Sequence, residues 1–261
     1  MTILDKIIAY KKEEVAKLRK EVSLEKLVKS PQFKRNPLSL KKALTSQGST
    51  GIIAEFKRQS PSKGIINDKA DIAQVTQDYV AAHVAAQSIL TDTHFFGGSV
   101  LDLMKAREVN NTKPILRKDF IVDAFQIIEA KAIGADVILL IAACLNVQQL
   151  KDFGSLATDL GLEVLYEVHN KTELDKIDLD GKIIGINNRD LKTFEVNLEQ
   201  SLEVAASIPK NCIKVSESGI SDPRIVSGLK EHGFKGFLIG ENFMKTDNPG
   251  MACQKFINQI R

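Results

Sequence analysis

Apolar residues in this chain gather into eight runs of strand length, and most of the stretches between them carry a helical period. The runs are GIIAEFK (51–57), QSILT (87–91), PILR (114–117), DVILLIA (136–142), EVLYEV (163–168), KIIGIN (182–187), CIKVSES (212–218) and GFLIG (236–240). Segments such as DAFQIIEAKAIGA and VQQLKDFGSLATDLG space their apolar residues three and four apart. Gly134, Gly161 and Gly233 end such segments just before the next run. Strands that are nearly all apolar, rather than alternating, are buried on both faces, as in a parallel sheet covered by helices. Eight such units predict an α/β fold, a (β/α)8 TIM barrel. The competing open, doubly wound sheet usually carries a glycine-rich dinucleotide turn after its first strand, and GIIAEFKRQSPSKG has none.

Upstream of the first run the period is helical. Residues 3–21 read as an amphipathic helix: Ile3, Leu4, Ile7 and Ile8 share a face that Val15 and Leu18 roughly continue. Glu13, Glu14, Lys17 and Lys20 form a solvated side. A short helix is expected at Leu24–Val28, a loop around Pro31 and Pro37, and a further helix at Leu40–Leu44. No linker rich in Pro, Gly or Ser divides the chain, so the expectation is one barrel domain over 1–261, of which about 1–47 is an N-terminal helical extension. Asp5, Lys6, Lys11 and Glu13 interrupt the first apolar stretch, which rules out the apolar region of a signal peptide. No apolar run approaches the roughly 20 residues that span a bilayer. A cytoplasmic location without membrane attachment is expected.

Composition adds limits more than direction. The 261 residues carry a net charge of +3, compatible with anionic substrates and far from the basic patch of a nucleic-acid binder. Cys144, Cys212 and Cys253 are scattered, as are His83, His94, His169 and His232, so no metal-type spacing is present. Free thiols in a reducing compartment and no metal site are expected.

Chemistry enters where the strands end. In barrels of this kind the active site lies at the C-terminal ends of the strands. There the chain places Glu55 and Lys57, then Arg117, Lys118 and Asp119, then Glu167, then Asn187, Asn188 and Arg189, then Ser216, Glu217, Ser218 and Gly219, and finally Gly240 and Glu241. Each alone has an ordinary explanation, a solvated lysine or a structural ion pair. Their recurrence at one mouth suggests proton transfer, with lysines and glutamates shifting one another toward neutrality. The small residues of SESGI and LIGENF, after the last two strands, suit a phosphate, and Ser60 and Ser62 could donate to it.

With these residues in view, the chain resembles the indole-3-glycerol phosphate synthase family of tryptophan biosynthesis. The resemblance rests on IIAEFKRQSPSKG, SILTDTHFFGGS, PILRKDFIVDAFQIIEAKAIGAD, LYEVHN, IGINNRDLKTF, VSESGI and FLIGENFM, which occur in the family's order over nearly the whole chain. It implies ring closure, decarboxylation and dehydration of 1-(2-carboxyphenylamino)-1-deoxyribulose 5-phosphate, a small phosphorylated substrate, without metal or organic cofactor. It implies Lys118 as general acid, Lys57 at the substrate carboxylate, and Glu167 and Glu55 as acid/base partners of later steps. Asn187, Arg189 and Glu217 would orient substrate and lysines, and Ser218 and Phe96 would also contact substrate. Ser60, Gly219, Gly240 and the backbone at Glu241 would hold phosphate. The resemblance is to the unfused form, and a monomer without a second barrel is expected.

Some positions depart from the family. His83 and Val84 stand in a turn where relatives more often have glycine, and Glu241 stands where some have serine. Alternatives remain at this level: an isomerase of phosphorylated sugars, a Schiff-base aldolase using Lys57 or Lys118, or a barrel that binds without catalysis.

Overall fold

The computed structural model describes residues 2–190 and 195–260; Leu191 to Phe194, within the IGINNRDLKTF motif, lie outside the described residues. The eight expected strands are present as β1 (Ile52–Phe56), β2 (Ala86–Leu90), β3 (Ile115–Lys118), β4 (Val137–Ile141), β5 (Glu163–Val168), β6 (Ile183–Asn187), β7 (Ile213–Glu217) and β8 (Phe234–Ile239). Each pairs in parallel with its chain neighbours, and β1 pairs with both β2 and β8, so the sheet closes into a barrel. This is the predicted TIM barrel, and the doubly wound alternative is excluded.

The N-terminal extension holds α1 (Ile3–Glu21), α2 (Leu24–Val28) and α3 (Leu40–Thr45). Thr2 caps α1 in a reciprocal capping box with Asp5, which fixes the start of the helix at Ile3. The loop expected around Pro31 contains one 3-10 turn, Pro31–Lys34, with the proline at its start. The crossovers are α4 (Ile72–Ala81), α5 (Val100–Val109), α6 (Ala124–Ile133), α7 (Val147–Asp159), α8 (Lys171–Leu174), α9 (Leu198–Ala206) and α10 (Pro223–Glu231). After β8 come α11 (Glu241–Met244) and α12 (Pro249–Gln259). Gly134, Gly161 and Gly233 all hold left-handed backbone, as helix stops do. His83 is also left-handed, with φ 61, a conformation that glycine, expected in this turn from the resemblance, would take more readily.

Alternation along the strands creates two cores. Ile52, Ala54 and Phe56 face the helices; Ile53 faces the barrel interior with Leu116, Leu139, Leu165, Val215 and Leu238. Leu40 and Leu44 of α3 pack into this interior cluster beside Ala85, Ala86, Ile183 and Ile213, at the N-terminal end of the strands. The opposite end is left for the site. No helix among the described residues is long and apolar enough to cross a membrane.

Candidate active site

Two residues above the apolar interior layer, the same face of the strands turns polar. Ile53 is followed at that interval by Glu55, Leu116 by Lys118, Leu165 by Glu167, Gly185 by Asn187 and Val215 by Glu217. A side-chain period of two keeps each pair on one face. The apolar layer is therefore the floor of the site, and strand register sets the charges above it side by side. Asn187 is directly opposite Glu217 across β6 and β7.

Lys118 is the hub. Its Nζ lies 2.7 Å from Glu217 Oε2 and 2.9 Å from Glu167 Oε2. Asn187 donates its amide to Glu167 Oε1 at 3.2 Å. A second pair stands beside the hub: Lys57 Nζ is 2.8 Å from Glu55 Oε1, and the Ser88 hydroxyl donates to Glu55 Oε2 at 3.3 Å. Glu55 is buried within β1, not at the rim of the strand as its position after three apolar residues suggested. The cation next to Lys57, Arg58, is turned away from the cavity. It forms two hydrogen bonds to Asp102 of α5 and lies over the Phe56 ring. Arg117 likewise leaves the site for Glu129, Asp119 and the Gln126 carbonyl.

Expectation and electrostatics differ in direction. The pocket charges were expected to move one another toward neutrality. Burial does oppose the Lys118 ammonium, but the carboxylates of Glu167, Glu217 and Glu55 outweigh it and hold the lysine's pKa above its ordinary value. Burial likewise opposes ionisation of Glu167, and Lys118 outweighs it, keeping Glu167 below the usual carboxylate range. Glu217 moves the other way. Burial raises its pKa, Lys118 offsets this only in part, and the charges of Glu167 and Glu55 add to the rise. Two carboxylates share one cation, so the second is the harder to ionise. Glu217 Oε1 is buried without a hydrogen-bond partner among the described residues. A Cβ at Gly185 would stand 2.2 Å from it, so a glycine in β6 makes room for this carboxylate. Sequence reading passed over Gly185 because a glycine in a strand carries no chemical signal of its own.

A cavity of about 430 Å³ opens above these groups. Every residue to which the resemblance assigns a role lines it, namely Glu55, Lys57, Ser60, Phe96, Lys118, Glu167, Asn187, Arg189, Glu217, Ser218, Gly219, Gly240 and Glu241, whereas Arg117, Asn188 and Ser216, also expected at the strand ends, do not. Ile3, Leu4 and Ile7 of α1 line it too, so the first helix forms part of its wall. Ser218 and Gly219 are successive left-handed residues, with φ 69 and φ 73, and bend the chain sharply after β7. Asn188 supports the bend by donating to the Ser218 carbonyl at 2.7 Å. A Cβ at Gly240 would meet Glu55 Oε1 at 2.5 Å, which ties this glycine to the seat of the carboxylate as well as to the loop. The Glu241 carboxylate is near Arg189 and Lys63, at 3.7 and 3.8 Å. The segment after β1 folds back as a small antiparallel hairpin, Gln59–Ser60 with Gly64–Ile65, and Ser60, Pro61, Ser62 and Lys63 border the cavity.

Sequence reading also missed the anchor of α1. Lys11 is 2% exposed, with its Nζ 2.9 Å from Asp92 Oδ2, 3.1 Å from Asp119 Oδ1 and 2.6 Å from Glu14 Oε2. A lysine among helix charges reads as solvated, and only the barrel's acids, distant in sequence, show otherwise. Among the described residues no cluster of His, Cys, Asp and Glu is arranged to hold a metal ion.

Comparison with known proteins shows the family. The family model described as indole-3-glycerol phosphate synthase matches residues 4–256. A protein of that name from Bacteroides thetaiotaomicron is 47% identical over 259 residues, covering 99% of both chains. One from Bordetella pertussis is 43% identical over 259 residues, covering 98% of both. Among solved structures, thiamine phosphate pyrophosphorylase from Pyrococcus furiosus superimposes with a TM-score of 0.60 at 12% identity, over 85% of this chain and 99% of that one. A chain of the tryptophan synthase complex from the same organism gives 0.56 at 16% identity, over 81% and 98%. At such identities the two structures bear on the fold alone.

Proposed function

This chain belongs to the indole-3-glycerol phosphate synthase family, and from that premise we propose that Lys118 is the acid that drives its ring closure. The reaction, a carboxy-lyase step of tryptophan biosynthesis, converts 1-(2-carboxyphenylamino)-1-deoxyribulose 5-phosphate into indole-3-glycerol phosphate. The observation that carries the proposal is the Lys118 ammonium at the cavity floor, held between Glu167 and Glu217.

The chemistry follows from the charges. The ring carbon bearing the carboxylate attacks the ketone, and the carbonyl electron pair takes a proton from Lys118 as the new bond forms. Attack on an unprotonated ketone is slow; a positioned acid contributes on the order of 10²–10⁴-fold. The lysine enters charged because its carboxylates keep it so. The ketone is a weak base, but its oxygen becomes strongly basic as negative charge develops, so transfer is favoured in the transition state. CO2 then leaves, and its bonding electrons restore the aromatic ring. In the dehydration, Lys57 protonates the departing hydroxyl and Glu55 accepts the proton from the neighbouring carbon, a pairing supported by their 2.8 Å contact. Glu217, the carboxylate with raised proton affinity, can return a proton to Lys118.

Binding takes the rest of the mouth. Ser60, Gly219, Gly240 and the backbone at Glu241 hold the phosphate, with the Glu241 carboxylate drawn aside toward Lys63 and Arg189. Arg189, Ser218 and Phe96 contact the substrate body, and Asn187 orients Glu167. A remote anchor of this kind supplies orientation to the reacting carbons. A Schiff-base role for Lys118 is disfavoured by the same electrostatics, since a lysine held protonated is a poor nucleophile. The proposal includes a cytoplasmic, monomeric enzyme.

The chain has no tryptophan, so indole emission appears against a low background. Purified protein given the carboxyphenylamino substrate is expected to develop that emission with turnover. Folded protein that binds the substrate and yields no indole emission would refute the assignment.

A further inference from the structure

His169 follows Glu167 by two residues, just beyond the end of β5, and does not line the cavity. Its Nδ1 is 3.0 Å from Glu173 Oε2 on α8, and its backbone N–H donates to the same oxygen at 2.8 Å. Asn170 donates to the other oxygen of Glu173 at 3.0 Å, so the carboxylate is fixed. The opposite ring nitrogen, Nε2, lies 3.5 Å from Glu167 Oε1 and is buried without a hydrogen-bond partner among the described residues. Glu167 thus stands between two basic groups, Lys118 at Oε2 and His169 at Oε1.

We propose that His169, held by Glu173, is a positioning residue that keeps Glu167 ionised and aimed at Lys118. The inference rests on the ring-closure reading above. With Nδ1–H committed to Glu173, Nε2 faces Glu167 with either a proton or a lone pair. A lone pair against a buried carboxylate oxygen is repulsive, whereas an N–H attracts it, so protonated His169 and ionised Glu167 favour each other. The groups around the ring agree. Burial alone would lower the proton affinity of His169, but Glu173, Glu167 and Glu217 raise it above the ordinary histidine value. Beyond Glu167 lies Lys118, which faces the pair and is separated from the imidazole by that carboxylate. Asn187 of β6 is neutral, and Cys144, after β4, is kept as a thiol by burial and by Glu167 and Glu173. The Lys176 ammonium is engaged by the carbonyls of Ala142 and Leu145. Once His169 loses its proton at high pH, Glu167 loses one of its two charged partners and Lys118 is less firmly placed.

Two isosteric substitutions separate the parts. His169→Asn keeps an amide where Nδ1 meets Glu173 and removes Nε2; His169→Gln keeps a donor toward Glu167 without charge. Histidine carbon NMR of the full chain, labelled at the imidazole, reads the titration of His169 without turnover. The expected result is titration above free histidine, moved to lower pH by Glu167→Gln. In the kinetic assay His169→Asn is expected to lower kcat about tenfold, with KM within about twofold and the alkaline limb of the wild-type profile lost. His169→Gln is expected to lower kcat less, and serves in its place if His169→Asn does not fold. A His169 titration indifferent to Glu167→Gln, or a variant with wild-type kcat and pH profile, would overturn the proposal. A wild-type protein inactive on the substrate refutes the ring-closure reading instead, and the NMR titration still decides whether His169 and Glu167 are coupled.

Discussion

Replacing Lys118 by alanine is expected to lower kcat by about 10³-fold or more while KM changes by only a few fold. The asymmetry follows from where the lysine acts. It stands at the floor of the cavity, 2.7 and 2.9 Å from two carboxylates, whereas the proposed phosphate and carboxylate contacts come from Ser60, Gly219, Gly240, Arg189 and Lys57 nearer the mouth. An interaction made chiefly in the transition state lowers kcat and kcat/KM together. A proportionate rise in KM at unchanged kcat would make Lys118 a binding residue. The variant also leaves Glu167 and Glu217 facing each other without their cation. Both pKa values then rise, one carboxylate takes up a proton, and the loss of stability is larger at pH 8 than at pH 5.5. Thermal unfolding at the two pH values separates this effect from the catalytic one.

The largest expected effect on stability comes from the first helix. Lys11→Met keeps the aliphatic stem and removes the cation between Asp92 and Asp119, whose side chains are 0% and 2% exposed. Breaking a buried pair by removing one partner costs about 3–5 kcal/mol, mostly because the remaining charge stays buried. For a chain of this size, each kcal/mol lowers Tm by about 2–4 °C, so a fall of about 6–20 °C is expected. The pH dependence has a definite sign. Burial opposes the Lys11 ammonium, but Asp119 and Asp92 raise its pKa above the unfolded value, so its contribution is complete throughout the neutral range and is lost only at very alkaline pH. Burial opposes ionisation of Asp119 too, yet Lys11 and Arg117 hold its pKa below the unfolded value, so its contribution is lost as pH falls into the acid range. The gap between the two proteins should therefore hold steady from about pH 6 to 9 and shrink below about pH 4. A Tm within about 2 °C of wild type at pH 7 would mean that the pair contributes little. Because Ile3, Leu4 and Ile7 line the cavity, a loosened α1 should also raise KM.

The sequence made the barrel and the site legible to different depths, for physical reasons. Buried parallel strands are apolar on both faces, so all eight declared themselves, with ends displaced by a residue or two where polar termini blur the boundary. The polar residues at their ends were also visible, but which way each pointed was not used. Parity would have sorted them: Lys118 continues the inward face of Leu116, whereas Arg117 falls on the helix side and pairs with Glu129. The same rule separates Glu217 from Ser216, and Glu55 from Phe56. Lys11 escaped because its partners are about 80 and 108 residues away in sequence, and no local pattern distinguishes a buried lysine from a solvated one. Gly185 escaped because its role is the space it leaves for Glu217.

If Lys118 gives a proton to the ketone as the ring closes, that step is sensitive to solvent deuterium. A single turnover, with enzyme in excess over substrate, can be followed by loss of the aminobenzoate emission in H2O and in D2O at matched positions on the pH profile. A clearly slower ring-closing phase in D2O is expected for the wild type, and no such difference in the residual reaction of Lys118→Ala. Equal rates in the two solvents for the wild-type ring-closing phase would contradict proton donation by Lys118 in that step.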